Sequence, residues 1–342
     1  MSLDMLDRIV DAVLYEGYLL YPYRASAVKN RHRFNFGVLY PEAHSQATGD
    51  ASTMQTECLV LANSQSRIEV RIRFLHLLSR GPAVAVAEGF QPVESIQIGE
   101  IRLDTCQEAV EREVVCTPGL EIGELCYRAL RENFSFPSHQ QVELLNDEDR
   151  SVGAMMRRQE QLQGAVDLSA VRLTDELFKI TAHITNLTGL GADTSKHRDE
   201  LLMRSLVSTH TILSIEGGDF VSLLDPPEPL RELANDCRNV GTYPVLVGDE
   251  GQRKLILSSP IILYDYPKVA PESAGNLFDG TEIDEILTLR ILTLTDEEKQ
   301  QVRQTDERAR KILDRTESLT PEQMAKLHGG YRNLKAVREQ KQ

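Results

Sequence analysis

The run RIEVRIRF at residues 67–74 constrains the fold of this chain more than any other stretch. Ile68, Val70, Ile72 and Phe74 alternate with Arg67, Glu69, Arg71 and Arg73. Side chains of a β-strand point to opposite faces with a period of two, so the pattern buries one face and leaves the other to solvent. A second run, Phe178, Ile180, Ala182 and Ile184, repeats the alternation much later in the chain. It reads as a strand of a sandwich-like sheet.

Around these anchors the pattern changes several times. Met5, Leu6, Ile9, Val10 and Val13 recur at helical spacing and predict a short amphipathic helix over residues 4–14. RFNFGVLYP and TECLVLA read as strands and SIQIGEIRLDT as a strand pair. CQEAVEREVV reads as a strand or short helix with its acids facing water. The polar PEAHSQATGDASTMQ marks a long loop or a mobile flap, and NDEDRSVGAMMRRQEQLQG a helical connection or linker.

Beyond about residue 195, helices and strands are expected to alternate. SKHRDELLMRSL is read as a helix, Thr211–Ile215 as a strand, Gly217-Gly218 as a turn, and EPLRELANDCRNVG as a helix closed by Gly241. TYPVLVG and KLILSSPIILYDYP come next as strands. Thr295 and Glu298 form a capping box before the helical run DEEKQQVRQTDERARKILDR, and Thr320, Pro321 and Gln323 open a last helix that stops at Gly329-Gly330. The expected class is α+β, in three parts. Residues 1–150 form a β-rich domain of sandwich-like sheets with an N-terminal helix, 151–280 an α/β unit, and 281–342 a projecting helical tail.

At 342 residues the chain is long enough to bury sizeable cores without disulfides. Its formal net charge is −14, from 38 bases against 52 acids, which opposes the counterion-releasing cationic surface of a nucleic-acid binder. No apolar run approaches the roughly 20 residues needed to span a bilayer. The N-terminus carries Asp4, Asp7 and Asp11 where a secretory leader would be basic, so a cytoplasmic location is expected. The five cysteines, Cys58, Cys106, Cys116, Cys126 and Cys237, are odd in number and scattered, as reduced thiols are.

Motifs that carry chemistry are scarce. There is no phosphate-binding loop, dinucleotide fingerprint, zinc-protease helix or nucleophile elbow. Cys106, Cys116 and Cys126 stand too far apart for Cys-x-x-Cys metal chelation. Cys237 with His210 and Asp219 or Asp225 is a conceivable nucleophilic set, but core packing is the better reading of that thiol. His76 and His183 interrupt apolar strands and read as hydrogen-bonded structural histidines. GNLFDGTEIDE lacks the alternating ligands of a calcium loop, and its acids suit a helix N-terminus.

Two surfaces remain as partner-binding candidates. Tyr15, Tyr18, Tyr21 and Tyr23 precede Arg24, Lys29, Arg31 and Arg33, so rings sit beside cations as they do in nucleic-acid sites. Lys29, Arg31 and Arg33 alternate with Asn30, His32 and Phe34, and the acidic chain favours a bend where Tyr21, Tyr23, Arg24, Lys29 and Arg31 meet a protein partner. The second candidate is Tyr264, Asp265 and Tyr266, in a segment that leaves a strand and runs over the surface. The Pro-rich turn LLDPPEPL is a third, rigid loop of the same kind.

Three long stretches, VLYEGYLLYPYRASAVKNRHRFNFGVLYP, DFVSLLDPPEPLRELANDCRNVGTYPVLVG and LSSPIILYDYPKVAPESAGNLFDGTEIDEILTLRILTLTDEEK, resemble a family of uncharacterised bacterial proteins encoded beside nickel-iron hydrogenase structural and maturation genes. The resemblance implies an accessory, assembly or scaffolding role toward a hydrogenase subunit or maturation factor. It brings no catalytic residue, cofactor or metal with it. The alternative is a metal carrier or thiol-dependent enzyme using Cys58, Cys106, Cys116, Cys126 or Cys237 with histidines.

Overall fold

The structure, a computed structural model, describes residues 2–15, 35–99, 101–116, 118–147, 150–191 and 198–267, with parts of 294–318. In chain order the strands are β1 (Thr53–Leu61), β2 (Arg67–Val86), β3 (Gly89–Pro92), β4 (Ser95–Ile98), β5 (Ile101–Asp104), β6 (Cys106–Val115), β7 (Leu120–Glu121) and β8 (Leu130–Phe136). They continue as β9 (His139–Asp147), β10 (Arg150–Gln159), β11 (Leu162–Arg172), β12 (Leu177–Asn186), β13 (Val207–Glu216), β14 (Asp219–Phe220), β15 (Tyr243–Leu246) and β16 (Leu255–Ser259). One sheet has the order β14-β1-β12-β11-β8; the other runs β15-β16-β13-β2-β10-β9, with β3, β6 and β7 also on β2.

The two alternating runs face each other. Ile68, Val70, Ile72 and Phe74 from β2 share one core with Phe178, Ile180, Ala182 and Ile184 from β12, closing a sandwich between the larger and smaller sheets. A polar tie crosses this interior, where the Thr56 hydroxyl of β1 donates to Ser258 Oγ of β16 at 2.8 Å. Phe134 and Phe136 of β8 seal one end against Phe74, with ring centroids 6.0 and 5.9 Å away.

Each outer face is also covered. The helix Ser2–Leu14 lays Leu6, Ile9 and Val10 on Ile212, Val245, Leu255 and Leu257, and Leu14 and Tyr15 on Leu75 and Leu77. The arginine face of β2 is therefore solvated only in part: Arg67 stays exposed, whereas Arg73 does not. Arg73, 9% exposed, lies under the helix, with Nη2 donating to Asp11 Oδ1 at 2.9 Å and to Glu111 Oε2 at 3.1 Å. Burial raises the Asp11 carboxyl above its ordinary range even though Arg73 pulls it down. On the smaller sheet, Leu59, Leu177 and Val221 are capped by Ala234 and Leu233 of the helix Arg231–Asn235.

The expected α+β class is overturned. Strands make up 50% and helices 18% of the described residues, and there is no α/β unit among them after 151. The strands of that region complete sheets begun earlier: β12 pairs with β1, and β13 with β2. Residues 150–159, expected as a helical connection, form β10, because Met155, Ala154 and Gln159 are buried between β2 and β9. Packing overrides the helix propensity of Met, Arg and Gln there. The segment read as a loop before β1 contains the helix Glu42–Thr48, closed by Gly49 at φ +82°.

Nor, among the described residues, does a helical tail project from the body. Leu313 and Thr316 are buried. Lys299 pairs with Glu317 at 3.0 Å and Arg303 with Asp314 at 3.1 Å. One straight helix would separate residues 303 and 314 by roughly 16 Å. These ion pairs exclude the single helix expected from 295 to 315. Thr320, Pro321, Gln323 and the glycine stop lie outside the described residues.

Candidate functional site

Of the first partner surface, Tyr21, Tyr23, Arg24, Lys29 and Arg31 lie outside the described residues. Tyr15, at the head of that aromatic run, is a core side chain: it is 1% exposed, and its hydroxyl donates to Glu111 Oε1 at 2.8 Å.

The second surface comes apart into three roles. Tyr264 is 85% exposed. Asp265 turns inward, accepting the Leu246 N–H at 2.8 Å on Oδ1 and the Ser222 hydroxyl on Oδ2. Tyr266 adopts φ +57°, donates its N–H to the Leu246 carbonyl at 2.7 Å and packs its ring on the sandwich core. The left-handed backbone turns Tyr266 inward after Tyr264 has pointed out. Asp265 is thus a staple that fixes the segment along β15, the terminal strand of the larger sheet.

Several exposed apolar side chains stand on the segments that this staple ties or that adjoin them in sequence. Leu224 adjoins Ser222, whose Oγ accepts the Leu224 N–H; Val240 and Tyr243 lead into β15; Ile262 precedes Tyr264. Their exposures run from 48% at Tyr243 to 71% at Ile262. Large exposed apolar groups on hydrogen-bonded segments are candidates for contact with a partner. Sequence reasoning singled out Tyr264 and the Pro-rich turn beside Leu224, but nothing local signals that Val240 and Tyr243 join them.

Three of the five thiols sit where the thiolate is disfavoured. Cys58 and Cys116 are fully buried, and burial pushes Cys116 up to about 12 and Cys58 higher still. Cys237 is pushed up to about 11, mainly by burial, and its Sγ donates to the Leu233 carbonyl at 3.6 Å. A nucleophile needs the thiolate, which these settings disfavour. The conceivable set around Cys237 does not assemble. His210 is buried in β13, with Nδ1 donating to the Ser208 carbonyl (2.7 Å) and Nε2 facing Ser259 Oγ (3.2 Å), while Asp219 pairs with Lys254 at 2.7 Å.

Beside Cys237 stands Glu57, only 7% exposed. Its Oε2 accepts the Arg238 N–H at 2.8 Å and meets Lys179 Nζ at 3.2 Å, while Asn239 bonds its backbone on both sides. Together these contacts anchor the loop at 238–239 to the smaller sheet. His183 Nδ1 lies 3.4 Å from the Thr185 hydroxyl on that sheet. His76 is buried, and its ring faces the backbone of Glu160 and Met203.

Among the described residues, no group of three or more His, Cys, Asp or Glu side chains is placed to hold a metal. None of the described helices is long and apolar enough to cross a membrane. No protein-family model matches the chain, and no curated protein matches it in sequence.

Proposed function

We propose that this protein is a non-catalytic, cytoplasmic accessory or assembly factor of a nickel-iron hydrogenase system, and that it works by recognising a protein partner. The observation that carries the recognition reading is the exposure of the large apolar side chains Leu224, Val240, Tyr243, Ile262 and Tyr264, the last of them on the segment that Asp265 staples to the end of the larger sheet. The hydrogenase side rests on the resemblance of the three long stretches, two of which, DFVSLLDPPEPL and LSSPIILYDYP, carry this surface. Partner selection falls to exposed aromatic and aliphatic anchors around a rigid backbone, which lose little conformational freedom on binding. The acidic net charge favours a partner with a basic rim.

The test is binding of the purified protein to purified hydrogenase subunits and maturation factors from the same cells, by biolayer interferometry. A saturable complex that Tyr264→Glu weakens at least tenfold, while the variant keeps its melting temperature, supports the proposal. If no hydrogenase component binds, the assignment is wrong.

A further inference from the structure

An outermost strand keeps half of its backbone N–H and C=O groups unpaired, so the edges of a sheet are where a β protein can join another chain. Most edges of this fold are closed off. On β15, at one end of the larger sheet, the Leu246 N–H is taken by the Asp265 carboxylate and the Leu246 carbonyl by the Tyr266 N–H. β14, at one end of the smaller sheet, is two residues long, and β8 at the other end exposes the polar side chains of Arg131, Asn133 and Ser135. β6, along the side of β2, carries Glu108, Glu111, Arg112 and Glu113.

β9, the other end of the larger sheet, differs. It is nine residues long, and among the described residues it pairs with β10 and with no second strand. From His139 to Asn146 it holds no Pro, Lys or Arg, the residues that commonly blunt an open edge. Its one acid in that stretch, Glu143, accepts from Arg157 Nη1 at 2.9 Å on Oε2. Val142 and Leu144 share one face of the strand and are 45% and 57% exposed, with Met156 and Ala154 of β10 opposite them.

We propose that β9 pairs antiparallel with β9 of a second copy of this chain, about a two-fold axis at Val142, so that the larger sheet continues through a dimer. The occupant is a second copy because this register complements itself. Val142 meets the partner's Val142 and Leu144 lies diagonal to it, which joins the Met156–Val142 rows of both copies into one apolar strip. On the other face Glu143 comes opposite the partner's Gln141, twice by symmetry, and the amide donates to the carboxylate. An axis at residue 143 would instead set Glu143 against the partner's Glu143, a destabilising like-charge pair. Two copies of a chain of net charge −14 repel each other, and β9 offers a contact whose one acid is already paired with an arginine. The dimer uses the end of the larger sheet away from β15 and Tyr264, so it does not rest on the function proposed above.

The test is sedimentation velocity of the full-length protein over a concentration series reaching about 100 μM. A reversible monomer–dimer equilibrium is expected, weakened at least tenfold by Val142→Lys and unchanged by Tyr264→Glu. Copper-catalysed oxidation should cross-link Val142→Cys into a dimer at least tenfold faster than Glu143→Cys or the wild type, because only residue 142 faces its own copy. If Val142→Lys loses its melting temperature, Leu144→Lys replaces it, and the cross-linking rates decide in either case. A wild-type chain that stays monomeric throughout leaves the edge to some other strand and overturns the proposal. So does a dimer that the lysine variants leave as tight as before, or Glu143→Cys cross-linking as fast as Val142→Cys.

Discussion

Two buried imidazoles should make this protein sensitive to mild acid. Burial holds both His76 and His210 down to about 4, and Arg112 adds to the effect at His76. In the unfolded chain each returns to about 6.5, so below that pH the unfolded state takes up protons that the folded state refuses. Stability is complete above the unfolded value and is lost as pH falls toward the folded one. Each histidine forfeits about 2 kcal/mol by pH 5 and about 3.4 kcal/mol once both states are protonated. Together they remove about 4 kcal/mol between about pH 8 and pH 5, a large part of the 5–15 kcal/mol that holds an ordinary domain. Asp11, with its folded-state value raised, works in the opposite sense, because the folded protein keeps that proton longer as pH rises.

The assay is urea denaturation from about pH 8 to pH 5, with the free energy plotted against pH. The wild-type slope should approach two protons near pH 5. His210→Asn retains a donor toward the Ser208 carbonyl and should reduce the slope to about one proton, as should His76→Gln. A wild-type free energy that changes by less than about 1 kcal/mol over this range would refute the reasoning, and so would single variants that keep the full slope.

Three further outcomes are expected from the packing. A Cβ on Gly164 would meet the Phe134 ring at Cζ, at Cε2 (2.8 Å) and at Cε1 (2.9 Å), so Gly164→Ala should cost about 1–3 kcal/mol in urea denaturation. Arg73→Met leaves Asp11 and Glu111 without their cation under the N-terminal helix; a loss of about 3–5 kcal/mol and faster amide exchange in residues 5–14 are expected. Native protein treated with iodoacetamide near pH 8 should leave Cys58 and Cys116 unmodified by peptide mass spectrometry, with both labelled fully once urea is added.

Alternation of side chains by itself determined the heart of this fold. The β-branched and aromatic residues of 68–74 and 178–184 have a period that only strands can bury on one face, and those two faces do meet across the sandwich. Hairpin β4–β5 and the inward thiols were equally legible, because their signals are local. The partners of β2 were not legible in this way. Whether Met155 and Gln159 sit in a helix or in β10 depends on the free edge that β2 leaves beyond Leu75, and that edge exists only after β13 has ended. Non-local pairing also turned an expected α/β unit into the missing strands of two existing sheets, since strands gain more from buried partners than from their own propensity.

The candidate sites divide along the same line. Tyr264 and the proline turn could be picked out as exposed segments, whereas Asp265 becomes a staple only because Ser222 and Leu246 are brought to it. His76 reads in sequence as a histidine satisfied within its strand. Its setting, at the point where β2 changes partner and beside the backbone of Glu160 and Met203, exists only in the assembled sheet. Local chemistry chose the strands; the distribution of hydrogen-bonding edges and ion pairs among them was settled by the assembled sheets.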